Sequence, residues 1–421
     1  MFDLRGRSAR GECSVESGDD GFESAGGDAL ILDIFSELQR PKPWGAGHER
    51  QVLQDAIAQA KLADEKGFGC WWTVEHHGAP EFSYSSAPEL ILTILSQHTQ
   101  RIRLGHSGVL APFHINHPLR VAERAAWTDI ASGGRLELGL ARSGGTEWET
   151  FEIDPETARD QLVEALRMIP QMWQRDDFEW QSRFATIPKR DVVPKPLQKP
   201  HPPLWQTSTS PESFFLAGSL GVGVLGTTLL TSLANLRALL DQYDRGLAEA
   251  KPAGAFVNAQ RSIFTFTFCA ETRKKAIESR AAEAVLWFIN AAPSVFHVPR
   301  SVWIDAIRGE FFDTRPERTA ALAQPESHDG LDLDDPVPVI ALLNRQVAGE
   351  AIDPVEAFEV MEPIESVVIG DVDACRAKME RYAAVGCDRL MCLMQMGRVE
   401  HADVMESIRI AGDELIPKLA G

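Results

Sequence analysis

The chain reads as an α/β protein whose parallel strands close into a (β/α)8 TIM barrel, and three observations carry that reading. Apolar strand-like runs alternate with amphipathic helix-like segments from Ala29 onward. The helix-to-strand joints are short and carry glycine, as at Gly67 and at Ser132-Gly133-Gly134. The alternation repeats eight times, the number a closed barrel with right-handed crossovers needs. An open doubly wound sheet is the alternative. No GxGxxG turn follows the first strand to favour it.

Ala29 to Phe35 is the first apolar run. After it, Val52, Leu53, Ala56, Ile57, Ala60 and Ala63 share one face of a helix over Glu49 to Lys66, which Gly67 closes. The second strand starts at Gly69 and ends at Glu75, with a helix from about Pro88 to His98. The third is Ile102 to Leu110 with a helix from His117 to Ala131, and the fourth is Arg135 to Ala141 with a helix from Ala158 to Trp173. The stretch from Val192 to Pro203 is too rich in proline to join the sheet. Leu204 to Ser208 with a helix from Ser210, Val222 to Thr227 with a helix from Leu233 to Ala248, and Ser262 to Cys269 with a helix to Asn290 are the next units. Arg389 to Gln395 with a helix from His401 to Leu419 is the eighth. Before that last strand lies a long insertion, Ala291 to Ile369, with an acidic patch from Asp329 to Asp335 and a helical segment near Pro338 to Val347. On the strand-tip side of a barrel such an insertion is expected to be a lid, with an oligomer contact as the other reading. Asp371 to Gly386 reads as an amphipathic helix leading into the last strand.

With 421 residues, 44% hydrophobic and 24% charged, the chain has enough apolar sequence for a large core. Its net charge of -19 argues against nucleic acid or an anionic membrane as partner and leaves a small-molecule substrate as the better fit. The six cysteines form no CxxC pair, so buried free thiols in a reducing cytoplasm are expected. No apolar stretch is long enough to span a bilayer. Residues 1–28 are rich in Gly, Ser, Asp and Glu, and are expected to form a disordered extension.

The chemistry is expected at the strand tips. Glu75-His76-His77 ends the second strand abruptly in a carboxylate and two imidazoles. An imidazole there suits proton transfer at neutral pH, whereas Glu75, its neighbour on the strand, can face the other way. Ser210-Pro211 is a helix start, with a hydroxyl cap and a proline at N1, whose outward N–H groups suit a phosphate. Arg142, at the tip of the fourth strand beside Ser143-Gly144-Gly145, can pair with a phosphate in two-pronged fashion. Each feature has a plainer reading: a structural histidine, an ordinary capped helix and a solvated loop arginine. His76, His77, His98, His106, His114 and His117 show no HxH or HExxH spacing, so no metal is expected. Glu37, Gln39, Thr227, Thr228, Gln395 and Met396 stand at other tips, where they would shape a pocket. Trp71, Trp72, Trp205 and Trp287 are expected in the core.

Several motifs, in order, carry a resemblance. They are Phe35-Ser36-Glu37-Leu38-Gln39 with Pro41 and Trp44; Val74-Glu75-His76-His77; Arg103-Leu104-Gly105 with Pro112 and Asn116-His117-Pro118; Ser132-Gly133-Gly134-Arg135; Pro194 to Trp205; and Ser210-Pro211-Glu212. From about Leu30 to Leu419 the chain resembles the bacterial luciferase-like, flavin-dependent monooxygenases. The resemblance implies a (β/α)8 barrel that takes reduced FMN (FMNH2) from a separate NAD(P)H flavin reductase. There it reacts with O2 through a flavin C4a-peroxide to oxygenate a small organic substrate. It implies His76 as the catalytic base; from their tip positions, Glu37, Gln39, His77 and Gln395 are expected about the substrate. Ser210 and Ser213, with Thr209, and Arg142 would meet the FMN phosphate, and Ser107-Gly108 would form a non-prolyl cis peptide under the flavin ring. Many relatives have glycine where this chain has Ser143, which alters the loop after Arg142. A cytoplasmic homodimer is the family-based expectation. A deazaflavin-dependent dehydrogenase and a non-catalytic barrel subunit are the alternatives on the same fold.

Overall fold

The computed structural model describes residues 29–311 and 331–420. The expected extension, residues 1–28, and part of the acidic patch, including Asp329, lie outside the described residues. Eleven strands are present among those described: β1 Ile31–Ser36, β2 Cys70–Thr73, β3 Arg103–Leu110, β4 Leu136–Ala141, β5 Phe178–Gln181, β6 Thr186–Arg190, β7 Leu204–Thr207, β8 Gly223–Thr227, β9 Arg261–Ala270, β10 Val367–Asp371 and β11 Arg389–Leu393. Eight of them, in the order β1-β2-β3-β4-β7-β8-β9-β11, pair in parallel, and β11 returns to β1 with Ile31 opposite Arg389. The expected closed barrel is therefore present, and helices connect its strands.

Side chains alternate along each strand, and the inward set explains how the barrel is filled. Trp72 on β2 and Trp205 on β7 meet edge to face at 5.2 Å in the barrel interior. Both are fully buried, as expected for core residues. Glycine makes room for them: a Cβ on Gly105 would lie 2.0 Å from Trp72, and one on Gly223 would lie 2.4 Å from Trp205. Their indole N–H groups donate to Asp33 at 2.9 Å and Glu137 at 2.7 Å. Asp33 in turn pairs with Arg389 through two bonds of 2.7 and 2.8 Å. This plug closes one end of the barrel, leaving the strand C-termini as the place for a ligand.

The chain's local signals fall where they act. Gly67 takes φ 85° at the end of helix His48–Lys66, and Gly133 and Gly134 take φ 70° and 85° in the turn into β4. The proline-dense stretch stays out of the sheet, with cis peptides at Val193–Pro194 and Lys199–Pro200. The five described cysteines are free and buried, and no described helix is long and apolar enough to cross a membrane.

Two additions to the expected order appear. An antiparallel hairpin, β5–β6, precedes the proline-rich stretch; it holds Pro188, tolerable in a two-stranded ribbon with an open edge. The expected insertion ends in a strand, because β10 pairs with the outer half of β9, from Val367 opposite Phe266 to Asp371 opposite Ala270. The inner half of β9, Ser262 to Phe266, pairs with β11 inside the barrel. Helix Ala281–Phe296 also runs straight through the expected boundary at Ala291, so the insertion grows out of the seventh helix. Helix Pro338–Val347 falls where expected and packs on it, with Asn290 donating to the Leu343 carbonyl at 3.1 Å.

Candidate active site

The tip of β2 brings His76 between two carboxylates. Its Nδ1 lies 3.3 Å from Glu147 Oε1, and its Nε2 lies 3.9 Å from Glu37 Oε2. Glu147 Oε1 also accepts the His77 backbone N–H at 3.3 Å, so one carboxylate fixes both the strand end and the ring. Both glutamates are buried, and the edges of Phe82 and Phe296 face the imidazole at 6.1 Å. Burial pushes the His76 imidazolium toward neutrality, but the fields of Glu37 and Glu147 overcome it and raise His76 above the ordinary range. Burial raises Glu37 to about 7, against the opposing pull of His76. Each group thus biases the other's protonation across the 3.9 Å gap.

Glu75, in the segment just beyond the end of β2, faces a different set of partners. It accepts the Leu110 N–H at 2.9 Å and the Asn116 amide at 2.8 Å, and lies 3.2 Å from His77 Nε2. Burial alone would raise its carboxyl; these bonds, with the field of His106, hold it below the ordinary carboxylate range. His77 is thereby tied to Glu75, with its ring against Phe151 at 5.1 Å. Glu75 is a buried anchor for the tips of β2 and β3.

Beside His76, the tips of β3, β4, β7 and β8 form a small-residue wall. The Ser107–Gly108 peptide is cis, and both residues are buried. A Cβ on Gly108 would come within 2.8 Å of the Leu140 carbonyl carbon and 3.0 Å of Thr207 Oγ1. Thr207 Oγ1, Thr227 Oγ1, Ser143 Oγ, Thr146 Oγ1 and Trp148 Nε1 are all buried without a protein hydrogen-bond partner. Buried polar atoms without partners are costly, and a group of them on the tips of β7 and β8 and in the loop and short helix after β4 is what a polar ligand would satisfy. A flat heterocycle rich in N–H and C=O groups, such as an isoalloxazine, fits this wall.

The residues expected to meet an anion come from two elements. Ser210 caps helix Pro211–Ser219 with a reciprocal box: Ser213 N–H donates to Ser210 Oγ at 3.3 Å, and Ser210 N–H donates to Ser213 Oγ at 2.9 Å. Thr209 N–H reaches the same hydroxyl at 3.1 Å. The exposed Glu212 carboxylate already samples this helix start: its own backbone N–H, then the Ser210 hydroxyl, with Arg159 farther off, hold it below the ordinary range. The helix start thus favours negative charge. Arg142 leaves the end of β4 with its guanidinium 5.2 Å over the Trp148 ring and feels Arg159 nearby. The departure noted at Ser143 shows as a left-handed backbone, φ 68°, followed by Gly145 at φ 58°.

Not every expected residue joins the site. Gln395 turns toward helix His48–Lys66, accepting from Gln59 at 3.1 Å and donating to the Val399 carbonyl. Thr228 turns away to the Phe264 carbonyl and Tyr382. Gln39 accepts the Gly397 N–H at 2.9 Å while its own Nε2 is buried without a partner. Trp287 is half-buried rather than core and lines a cleft of about 350 Å³ with Phe82, Thr146, Ala291, Ser294 and Val295. Contributors that escaped the sequence reading include Glu147, Arg159, Phe82, Phe296 and Thr207. Glu147 had a signal, because it lies two residues after the Gly144-Gly145 pair that follows the Arg142 tip.

Residues 35–389 match the family described as luciferase-like monooxygenase. The chain belongs to this family. Among relatives, it is 36% identical over 199 residues to the oxygenase component of a flavin-dependent trigonelline monooxygenase from Acinetobacter baylyi, a match covering 47% of this chain and 54% of that protein. The chain thus spans about half the length of that relative. Among solved structures it resembles the oxygenating constituent of 3,6-diketocamphane monooxygenase from Pseudomonas putida in complex with FMN. The TM-score is 0.67 at 17% identity, covering 93% of this chain and 99% of that one. It also resembles the coenzyme F420 dependent tetrahydromethanopterin reductase of Methanopyrus kandleri, with a TM-score of 0.63 at 19% identity over 93% and 99% of the two chains. At these identities the two structures establish the shared barrel fold alone.

Proposed function

We propose that the chain is the oxygenase of a two-component flavin monooxygenase, taking reduced FMN from a separate NAD(P)H flavin reductase and using O2 to oxygenate a small organic substrate. The observation that carries this reading is His76, clasped by Glu147 and Glu37 next to a wall of unpartnered polar atoms. When bound, the reduced flavin supplies the two electrons that activate oxygen. Thr207, Thr227, Ser143 and the Ser107–Gly108 tip would hold its ring, and Arg142 with the Ser210 helix start would hold its phosphate.

The protein's own work is proton handling and exclusion of water. Glu147 orients the ring by taking His76 Nδ1, so that Nε2 faces Glu37. Nε2 would then hold or release a proton at the reacting face, its basicity raised by the fields of Glu37 and Glu147. Phe82 and Phe296 shield this pair from bulk water.

Reconstitution tests the proposal. The purified chain is expected to bind FMN and, with NADH, a flavin reductase and a competent substrate, to consume oxygen in step with oxygenated product. His76→Ala should retain FMN binding and lose coupling of oxygen to product. Turnover with a deazaflavin alone would replace the proposal with hydride transfer. Full activity in His76→Ala would remove its proton-transfer role.

A further inference from the structure

We propose that the substrate accepted in the cleft beside His76 is cationic, presenting a quaternary or protonated nitrogen to Glu37 and Glu147. The inference rests on the cleft being the substrate site and adds the substrate's charge class.

The first support is a charge count. Glu37, His76 and Glu147 form one cluster, and among the described residues no lysine or arginine forms an ion pair with either carboxylate. Two carboxylates thus surround a single imidazole, so the cluster holds more acidic groups than basic ones. A buried uncompensated charge is expensive, and a bound cation relieves it. Second, Glu37 Oε2 is buried without a hydrogen-bond partner, with only 5% of the Glu37 side chain exposed. The 3.9 Å gap to His76 Nε2 is too wide for a hydrogen bond, and it is the Ser83 hydroxyl that bonds this carboxylate. Third, aromatic rings surround the cluster. Phe82 lies 6.1 Å from His76, 6.4 Å from Phe296 and 6.5 Å from Trp287, and Phe82 and Trp287 both line the cleft. Ring faces attract a cation whose hydration shell has been stripped, and planar cations also stack on them. An anionic substrate would meet the opposite field. A neutral one would leave the cluster's charge uncompensated.

N-methylpyridinium and toluene have nearly the same shape and differ in charge, so together they isolate the effect. Their binding to the full chain is measured without flavin by ligand-observed NMR titration, with benzoate as the anionic probe. N-methylpyridinium is expected to bind at least about tenfold more tightly than toluene, and benzoate most weakly. Glu37→Gln and Glu147→Gln should each remove most of that preference while toluene binding persists, which shows that the cleft remains folded. Binding of N-methylpyridinium no tighter than that of toluene, including no binding of either, overturns the proposal. So does a preference that survives both substitutions. Because flavin is absent, a chain that binds FMN and consumes oxygen yet shows no cation preference fails only this inference. A cation preference without FMN binding fails only the functional proposal.

Discussion

Replacing Glu147 with Gln keeps the side chain's shape and removes the charge 3.3 Å from His76 Nδ1. Two unit charges at that distance attract by roughly 5 kcal/mol at an effective dielectric of about 20. Delocalisation over the ring and the carboxylate, with partial solvent screening, reduces this to roughly 2 kcal/mol, or about 1.5 pH units. Because Glu147 favours protonated His76, its loss should move the His76 titration to lower pH by about that amount. The assay is a proton–carbon NMR titration of the histidine ring signals, with His76 assigned from a His76→Gln sample. The stability consequence has a fixed sign. A raised histidine contributes stability that is fully present below its unfolded value near 6.5 and is lost as pH rises through the folded value. Wild type should therefore exceed Glu147→Gln in unfolding free energy most clearly between about pH 5 and 6.5, with the gap shrinking above. A His76 titration that stays within about 0.3 unit of wild type, or moves upward, would refute the clasp.

Arg142→Ala should weaken FMN binding by roughly ten- to a hundredfold and leave riboflavin, which lacks the phosphate, unchanged; fluorescence titration with both flavins reads the difference. Burial holds Glu37 at about 7 against an ordinary 4.5, so ionising it in the folded chain costs stability as pH rises toward and through that value. Glu37→Gln should accordingly unfold in urea at about 1–3 kcal/mol higher free energy at pH 8.5, with no gain at pH 5; a loss at pH 8.5 would count against the assignment. Asp33→Asn strands the Arg389 guanidinium among buried side chains and should cost about 3–5 kcal/mol in the same urea assay, far from the reacting face. An undiminished midpoint would show that the pair is dispensable.

The barrel was legible because its signals are local and repeated. Gly67, Gly133 and the Ser210-Pro211 cap each act within one turn of chain, and eight such units leave one closed solution. β10 was hidden because Val367 to Ile369 is a short apolar run whose strand state depends on a partner about a hundred residues away, on the outer half of β9. The site divides the same way. His76 stood out as an imidazole at a strand tip. Glu147 and Phe82 did not, because a glutamate after a glycine pair and a phenylalanine in a loop acquire meaning only when folding sets them around one ring. Gln395 shows the converse error: a polar residue at a strand tip need not point inward, and Gln59 captures this one from the helical layer.

The division of β9 between two neighbours has an engineering consequence. The chain departs at Ala270 and, after the helical excursion, lays Val367 to Asp371 alongside Phe266 to Ala270, so both ends of the excursion meet on one stretch of strand. Neighbouring strands lie about 4.8 Å apart, so the two junctions bracket an exchangeable cassette whose replacement asks nothing of the register at β11. Swapping this cassette between family members while keeping β9 and β10 offers a route to chimaeras with new clefts over an unchanged set of strand tips.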